Sequence, residues 1–186
     1  IPDEQSANKI EELLSKSEFK VESIKKNEFK SKPRAPFTTS TLQQAASSEL
    51  RMAPRRTMDI AQELFRGIES GNNVINLITY MRTDSTFISS EILNSIGKYV
   101  VKNHGENYYS GSRVYSKVSK NSQEAHEAIR PTDIDNSPEK IKNQLNDQQY
   151  KLYKLIWDRT LASQMKDSIS EKTVLTVQAK DKNNEY

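Results

Sequence analysis

Apolar residues recur three and four positions apart through the middle of the chain, which is the spacing of an amphipathic helix. The pattern predicts one helix after Thr39 or Ser40 that runs to about residue 51, and a second that begins at Pro54. Serine and threonine favour the position before a helix, and proline suits its first turn. The predicted apolar face of the second helix comprises Met58, Ala61, Leu64, Phe65 and Ile68.

Three further helices are predicted towards the C-terminal end. One follows Ser89 or Ser90, a short one begins at Ser137-Pro138, and the longest runs from Asp147 to about Met165. Residues 67–73 are predicted to form a turn-rich loop, 74–80 an extended segment and 103–125 an irregular stretch. The apolar faces comprise Ile92, Leu93, Ile96, Tyr99 and Val100 in the first of these helices, and Leu152, Tyr153, Ile156, Trp157 and Leu161 in the last.

The two ends of the chain show a different pattern. Residues 5–18 predict a short helix capped by Asp3 or Ser6, whereas residues 19–31 and 172–179 alternate between apolar and polar positions and predict strands. The prolines of the Lys32–Pro36 segment disfavour helix before them, so this segment is predicted to be an extended hinge. We expect the two end strands to pair or share a sheet. The predicted fold is therefore α+β and mainly helical, with the helical middle inserted between strand-bearing parts.

Composition narrows the class of protein without identifying it. Only 34% of the 186 residues are hydrophobic and 28% are charged, and the net charge of +3 does not by itself indicate a nucleic-acid partner. Basic residues cluster at Lys25-Lys26, Lys30–Arg34 and Arg51–Arg56, which either bind a partner or form a solvated face. The absence of cysteine excludes disulfides and thiolate metal sites and favours an intracellular protein.

The chain has no run of about 18 apolar residues, so we expect no membrane-spanning segment and no membrane partner. It begins at Ile1-Pro2 rather than at a methionine, and it ends at Tyr186 soon after a strand-like alternation. We therefore expect an excised piece of a longer protein.

The stretch Ile78–Ser85 carries the most specific chemistry in the sequence. Tyr80 is a poor nucleophile at neutral pH, because the reference pKa of a phenol is about 10. The guanidinium of Arg82 would favour the phenolate and could hold a phosphate through two parallel hydrogen bonds. If the segment is extended, residues 80 and 82 share a face. The alternatives are a packing role for Tyr80 and a surface ion pair between Arg82 and Asp84.

Two further groups of residues are candidates for chemistry. His126 is one of two histidines, and a lone histidine is more often a structural hydrogen-bond partner than a catalyst. Arg130 lies four residues after His126, so the two would share a face on a helical turn. Asp133 and Asp135 could hold a metal, but before a proline-started helix they fit capping or turn roles better. His104 is expected at the surface.

Four segments resemble, in order and spacing, the motifs of one known family. The octet Ile78–Ser85 resembles the active-site tyrosine motif of the type IA DNA topoisomerases, the bacterial ones in particular. Further matches lie at Gln123–Asp133, at Ala35–Ala46 and, more weakly, at Arg56–Phe65. Together they extend from about residue 32 to about residue 133.

The resemblance implies roles for the residues around Tyr80. Tyr80 resembles the family's nucleophile and would form an ester with the 5′ phosphate of a cut DNA strand. Arg82 would hold the scissile phosphate, and Asp84 would orient Arg82 or a neighbouring backbone group. Thr79 belongs to the same motif and would support the site.

The resemblance also extends to residues outside the octet. His126 would meet a phosphate or nucleotide near the cut and tune the tyrosine. Arg130 would either bind the DNA backbone or brace the fold, and both roles remain open. Asn76 stands where the family usually has glycine; asparagine tolerates the left-handed backbone conformation that such a turn would need.

For the whole chain, the resemblance implies an arch carrying a helical domain as a movable gate. Residues 1–36 would be part of the strand-bearing arch, 37–166 the helical domain with the catalytic tyrosine, and 167–186 a returning strand of the arch. The parent enzyme would nick one strand, pass another through and reseal without ATP, relaxing negatively supercoiled DNA.

The resemblance implies cofactors and partners as well. Mg²⁺ would be bound by an acidic cluster in an N-terminal domain that is missing here, so we expect no metal in this fragment and little or no cleavage by it alone. The expected partners are single-stranded or underwound DNA and the remaining domains of the parent topoisomerase, in a bacterial cytoplasm in association with the nucleoid.

Two alternatives remain at this stage. A tyrosine recombinase also combines arginine, histidine and tyrosine on DNA, but there the tyrosine follows a His-x-x-Arg pair, whereas Tyr80 precedes a His-x-x-x-Arg pair. The chain could instead be a non-catalytic module that binds single-stranded DNA or supports assembly. In that case bases would stack on the aromatic residues near three basic ones, namely Tyr108, Tyr109 and Tyr115 near Lys102, Arg113 and Lys117.

Overall fold

The computed structural model describes residues 1–70, 73–115, 126–181 and 184–185, with only the backbone described at 69, 70, 73, 181, 184 and 185. The described chain divides into two compact units. One unit combines Ile1–Ser31 with Ser168–Tyr186, and the other consists of Lys32–Asp167. No helix in the described parts is both long and apolar enough to cross a membrane.

The unit formed by the two chain ends is built on a long two-stranded ribbon. Helix α1 (Glu4–Ser15) begins after Asp3, whose Oδ1 accepts a hydrogen bond from the Ser6 backbone N–H at 2.7 Å. Strands β1 (Glu18–Ser31) and β4 (Ser168–Asp181) pair antiparallel along their lengths, and β5 (Asn184–Glu185) pairs antiparallel with the C-terminal end of β4. The prediction that the two ends pair is confirmed. Both strands expose apolar side chains, among them Phe19, Ile24, Phe29, Ile169, Leu175 and Val177.

The second unit is helical and holds most of the apolar core. Its helices are α2 (Thr39–Leu50), α3 (Pro54–Arg66), α4 (Ser90–His104), α5 (Pro138–Ile141) and α6 (Asp147–Ser163), with 3₁₀ turns at Glu106–Tyr108 and Lys142–Gln144. The predicted helices are thus confirmed to within a few residues. The largest completely buried side chains include Phe37, Leu42, Ile60, Leu77, Ile78, Met81, Ile129, Leu152, Tyr153 and Ile156.

The structure corrects two details of α3 and its neighbourhood. The buried face of α3 comprises Thr57, Ile60, Ala61 and Leu64, whereas Ile68 lies beyond the helix. The predicted loop at 67–73 is in part a hairpin, since β2 (Ile68–Ser70) pairs with β3 (Asn73–Ile75). Gly67 makes the connection at φ 101°, and a Cβ there would lie 2.6 Å from Cγ1 of Val74. Only glycine fits this backbone without strain.

Helix α2 begins one residue earlier than predicted, because Thr38 is the capping residue. The Thr38 hydroxyl accepts from the Thr41 N–H, and the Thr41 hydroxyl accepts from the Thr38 N–H at 2.9 Å. This reciprocal pair satisfies two backbone donors that the helix itself leaves unpaired.

We expect Thr38→Ala to lower the free energy of unfolding by about 1 kcal/mol, the usual value of a lost cap. The measurement is urea unfolding followed by the fluorescence of Trp157, which is the single tryptophan of the sequence and is buried in this unit. Ser47→Ala is the control, because Ser47 is exposed on the same helix. Equal urea midpoints for the two variants would show that the cap contributes nothing.

Candidate active site

The backbone that carries Tyr80 is held on one side by the segment 128–132. The Thr79 N–H donates to the Arg130 carbonyl at 2.9 Å, and the Thr132 N–H donates to the Leu77 carbonyl at 3.0 Å. Ile78 and Pro131 form an isolated antiparallel bridge between these hydrogen bonds. The Thr79 hydroxyl adds a further bond, donated to the Ala128 carbonyl at 2.6 Å. Thr79 therefore joins two segments that are distant in sequence.

The start of α2 holds the other side of the same segment. The Thr39 hydroxyl donates to the Met81 carbonyl at 2.8 Å, and the Thr39 N–H donates to the Thr83 carbonyl at 2.8 Å. The Thr83 N–H donates back to the Thr39 hydroxyl at 2.9 Å. Tyr80 thus lies on a backbone that is hydrogen-bonded both before and after it.

Exposure alternates from Tyr80 to Asp84, although the backbone bends at Met81. Met81 and Thr83 are buried, whereas Tyr80, Arg82 and Asp84 are exposed. The core therefore anchors alternate residues, and the candidate nucleophile and the candidate phosphate clamp remain accessible to a ligand.

The Tyr80 ring is fixed although nearly half of its surface is accessible. The ring packs edge-on against Phe65, with centroids 5.3 Å apart and an interplanar angle of 65°, and the residue is 45% exposed. Its hydroxyl forms no hydrogen bond with any residue that the structure describes. An edge-to-face pair restricts the ring without using its oxygen. The phenol oxygen is therefore accessible, while the ring is in contact with Phe65. From the sequence, Phe65 was predicted only to lie on the apolar face of a helix, and its contact with Tyr80 was not predicted.

A cavity of about 230 Å³ brings Tyr80 together with His126. Its other lining residues are Thr79, Thr83 and Glu127. His126 is exposed at this cavity, so a ligand could meet the imidazole and the phenol together. Tyr80 and His126 are far apart in sequence, so their positions alone did not indicate that they would lie close together. Only the resemblance of both motifs to one family did.

Arg82 and Asp84 lie on the exposed side of the segment and outside the cavity lining. Neither side chain forms an ion pair or hydrogen bond with another described residue, so the surface ion pair considered from the sequence is not present. The predicted role of Asp84 in orienting Arg82 has no contact to support it and stays a prediction. Arg82 has its charge and all of its N–H donors available for an anion.

Arg130 differs from its predicted geometry, because residues 126–130 are not helical. The pairing of Ile129 with Phe37 and of Pro131 with Ile78 keeps this stretch extended. Arg130 is only 7% exposed. Its Nη2 lies 2.5 Å from Oε2 of Glu127, and its Nη1 donates to the Pro131 carbonyl. These contacts favour the bracing role over direct DNA binding.

Glu127 is a site residue that sequence reasoning missed. Besides pairing with Arg130, it accepts a hydrogen bond from the Ser89 N–H at 3.3 Å, at the start of α4. It therefore connects the cavity to the first turn of a helix, where a carboxylate is favoured. Its only signal in the sequence was an acidic residue three positions before an arginine.

The described residues do not form a Mg²⁺ site. Among them, no group of three or more histidine, cysteine, aspartate or glutamate side chains is placed to hold a metal. Asp133 Oδ1 accepts the Asp135 N–H at 2.9 Å, which confirms the turn role predicted for this pair. Glu127 is committed to Arg130. Hard divalent cations need several oxygen ligands in one place.

Two of the three aromatics considered for base stacking pack on the protein instead. Tyr109 covers Gly97, where a Cβ would lie 2.5 Å from the tyrosine oxygen. The Tyr115 hydroxyl lies 3.0 Å and 2.9 Å from two backbone carbonyl oxygens, and burial raises the pKa of this phenol. Arg113 pairs with Asp167. Tyr108 is exposed, and Lys117 lies outside the described residues.

Asn76 does not adopt the left-handed conformation expected for it. Within the described residues, Arg51 is the one non-glycine residue with a positive φ. The Asn76 carbonyl accepts a hydrogen bond from the Thr132 hydroxyl at 2.6 Å. The segment before the octet is therefore extended, and glycine is not required there. His104 is exposed, as expected.

Comparisons of sequence agree with the motifs. A family model described as DNA topoisomerase matches residues 1–186. The chain is 43% identical over 183 residues to DNA topoisomerase 1 of Rickettsia felis, which covers 98% of this chain and 24% of that protein. It is 44% identical over 176 residues to DNA topoisomerase 1 of Helicobacter pylori, covering 94% of this chain and 24% of that protein.

The fold leads to the same family. The chain is similar to full-length topoisomerase I of Thermotoga maritima with a TM-score of 0.76 and 41% sequence identity, over 95% of this chain and 28% of that one. The chain thus spans about a quarter of the length of these relatives. On the match along its whole length, the chain belongs to the DNA topoisomerase family, in the type IA class of bacterial topoisomerase I.

Proposed function

We propose that this chain supplies the nucleophile of a type IA DNA topoisomerase, and that the nucleophile is Tyr80. The observation that carries the proposal is the setting of the Tyr80 hydroxyl. It is accessible and without a hydrogen-bond partner in the described residues, while the ring is packed on Phe65 and the backbone is held from both sides. Such preorganisation lowers the cost of placing an attacking atom against a substrate.

The proposed step is a transesterification at phosphorus. The phenol oxygen of Tyr80 attacks the scissile phosphate and loses its proton. A bond forms between that oxygen and phosphorus, and the bond from phosphorus to the 3′ oxygen breaks. The 3′ oxygen leaves with a proton, and the 5′ phosphate stays on the tyrosine. One phosphodiester replaces another, so reversal of the same step reseals the strand without ATP.

Two side chains, Arg82 and His126, stabilise the negative charge that develops on the phosphate. Arg82 is exposed beside Tyr80 and has no competing partner among the described residues, so its planar fork can bind two nonbridging oxygens. His126 lines the cavity with Tyr80 and can donate a hydrogen bond to the same phosphate. The Glu127–Arg130 pair supports the segment that carries His126.

The rest of the reaction belongs to the parent protein, of which this chain spans about a quarter. We propose that other domains bind single-stranded or underwound DNA together with this chain, hold Mg²⁺, and carry out strand passage that relaxes negatively supercoiled DNA. The enzyme would act in the bacterial cytoplasm. By this proposal the chain alone forms little or no adduct.

The experiment that tests the proposal compares two labels. Single-stranded DNA labelled at its 3′ end or at its 5′ end is incubated with the intact parent enzyme and Mg²⁺, then denatured. A 5′ phosphotyrosine retains the 3′-labelled piece on the protein. Label retained only from 5′-labelled DNA would instead indicate the recombinase polarity, and no adduct with either label would favour a binding module.

We expect Arg82→Lys in the parent to slow adduct formation by about 10- to 100-fold, and Arg82→Ala by about 100- to 1,000-fold, in the range of lost oxyanion donors. Lysine keeps the charge but cannot form two parallel hydrogen bonds. The measurement is the single-turnover rate of adduct formation at saturating DNA. Arg55→Lys is the matched control, since Arg55 is exposed on α3. A rate for Arg82→Ala equal to that of the control would remove Arg82 from the site.

A further inference from the structure

A groove beside α2 brings together two arginines that are distant in sequence. Arg34 lies in the extended segment before Phe37, and Arg159 lies on α6. The groove has a volume of about 440 Å³, and its lining also includes the polar residues Thr41, Gln44, Ser48 and Thr86. All of these residues belong to the helical unit. The groove shares no lining residue with the Tyr80 cavity.

Arg159 is held in place by its packing. The centre of its guanidinium lies 4.1 Å above the ring of Phe37. Phe37 is completely buried, and its carbonyl accepts a hydrogen bond from the Ile129 N–H at 2.8 Å. A guanidinium stacked by its face keeps its N–H donors in its own plane and available at its edges. None of these donors is used by a residue that the structure describes.

The positive charge in this groove lacks a counter-charge in contact. Neither Arg34 nor Arg159 forms an ion pair or hydrogen bond with a described residue, whereas Arg113 and Arg130 pair with carboxylates. Burial and then the charge of Arg34 lower the pKa of Arg159, and Glu49, which also lines the groove, acts in the opposite direction without forming an ion pair. A half-buried cation of this kind is stabilised by an anion.

We propose that this groove binds a backbone phosphate of the DNA strand at a position away from the cut. The inference rests on the proposed function, and adds a second phosphate contact to it. Arginine, threonine, serine and glutamine are among the side chains that contact DNA phosphates. Thr86 lies six residues after Tyr80, so their Cα atoms are at most about 22 Å apart. That distance is within a few nucleotides of the cut. The contact would position the strand without reading its sequence.

The test measures binding of single-stranded DNA to the intact parent enzyme. Every protein also carries Tyr80→Phe, so that binding is measured without cleavage. Arg34→Gln and Arg159→Gln should each weaken binding by about five- to tenfold at moderate salt, as expected for a lost charged hydrogen bond. The slope of log affinity against log salt should fall by about 0.7, the value for one phosphate contact on a single strand. Lys151→Gln removes one charge from a surface pair on the same helix and should change neither quantity.

Folding is checked separately, because Arg159 also packs on Phe37. The melting temperature of each variant is recorded, and Arg159→Lys should restore binding only in part, since lysine keeps the charge without the fork. Arg34 is exposed and makes no such contact, so its variant tests the groove directly. If folded Arg34→Gln binds DNA with the affinity and salt slope of its parent, the proposal is overturned.

Two further arms identify the source of any failure. An adduct formed by the parent with Tyr80 intact, combined with unchanged DNA binding in Arg34→Gln, overturns the groove and leaves the proposed function in place. Inorganic phosphate is the second probe. One outcome is that phosphate raises the melting temperature of the parent but not that of Arg34→Gln or Arg159→Gln. If both variants then bind DNA as their parent does, the groove binds a free anion and the proposed contact with the DNA strand is overturned.

Discussion

In the intact parent enzyme, Tyr80→Phe should abolish the covalent DNA adduct and lower relaxation by at least about four orders of magnitude, as expected when a nucleophile is removed. The substitution deletes one oxygen. The ring contact with Phe65 and the backbone hydrogen bonds of Thr79 do not involve that oxygen, so the fold and the binding of DNA should persist. Loss of chemistry with retained binding is the signature of the attacking atom.

The measurement combines denaturing gels for the adduct with relaxation of supercoiled plasmid. Tyr108→Phe is the matched control, because Tyr108 is also about half exposed and lies in the same unit. It should leave both activities unchanged. Residual adduct above background in Tyr80→Phe would mean that another residue attacks the phosphate.

The second large effect is on stability: Glu127→Ala should lower the free energy of unfolding by about 3 kcal/mol, as for a broken buried ion pair. Arg130 is 7% exposed, and its Nε is already buried without a partner among the described residues. Removal of Glu127 would leave the remaining charge without its carboxylate. The Ser89 N–H at the start of α4 would lose its acceptor as well.

Two further variants separate the charge from the packing, each measured by urea unfolding with Trp157 fluorescence. Glu127→Gln keeps an oxygen that can accept from Arg130, so it should cost less than alanine. Arg130→Met with Glu127→Ala removes both charges and should regain most of the loss, since an apolar replacement of a buried pair is often close to neutral. A double variant as unstable as Glu127→Ala alone would show that the pair is not the cause.

The sequence predicted the helices well because the apolar residues of each helix lie on one face. The predicted stripe of α6 is buried in full, whereas in α4 Leu93, Ile96 and Val100 are buried and Ile92 and Tyr99 are partly buried. Errors arose where tertiary contacts decide. Residues 67–73 contain turn-forming residues, yet β2 and β3 pair there once Gly67 has ended α3. The assignment of the two units to an arch and a gate stays a prediction.

Features of the site that depend on residues close together in sequence could be predicted. Features that depend on contacts between distant segments could not. The alternation from Tyr80 to Asp84 follows from local periodicity. The role of Thr39 does not, since it bonds to Met81 and Thr83 from another helix. Arg130 was misplaced for the same reason: pairing with Ile78 and Phe37 overrides helical spacing in its segment. The roles of Tyr80, Arg82, Thr79, Asp84 and His126 in catalysis remain proposals.

The long ribbon of β1 and β4 also constrains the order in which the chain acquires its structure. Ser31 pairs with Ser168, so every residue of the helical unit lies between the two strands. Closing so long a loop costs about 3 kcal/mol more than closing a tight hairpin. Pairing should therefore follow the folding of the helical unit, which replaces the open loop by a fixed body. During synthesis, strand β1 with its apolar side chains Phe19, Ile24 and Phe29 would remain unpaired until β4, near the end of this chain, has been made. During that time, a chaperone or a neighbouring part of the parent protein could bind these exposed apolar side chains.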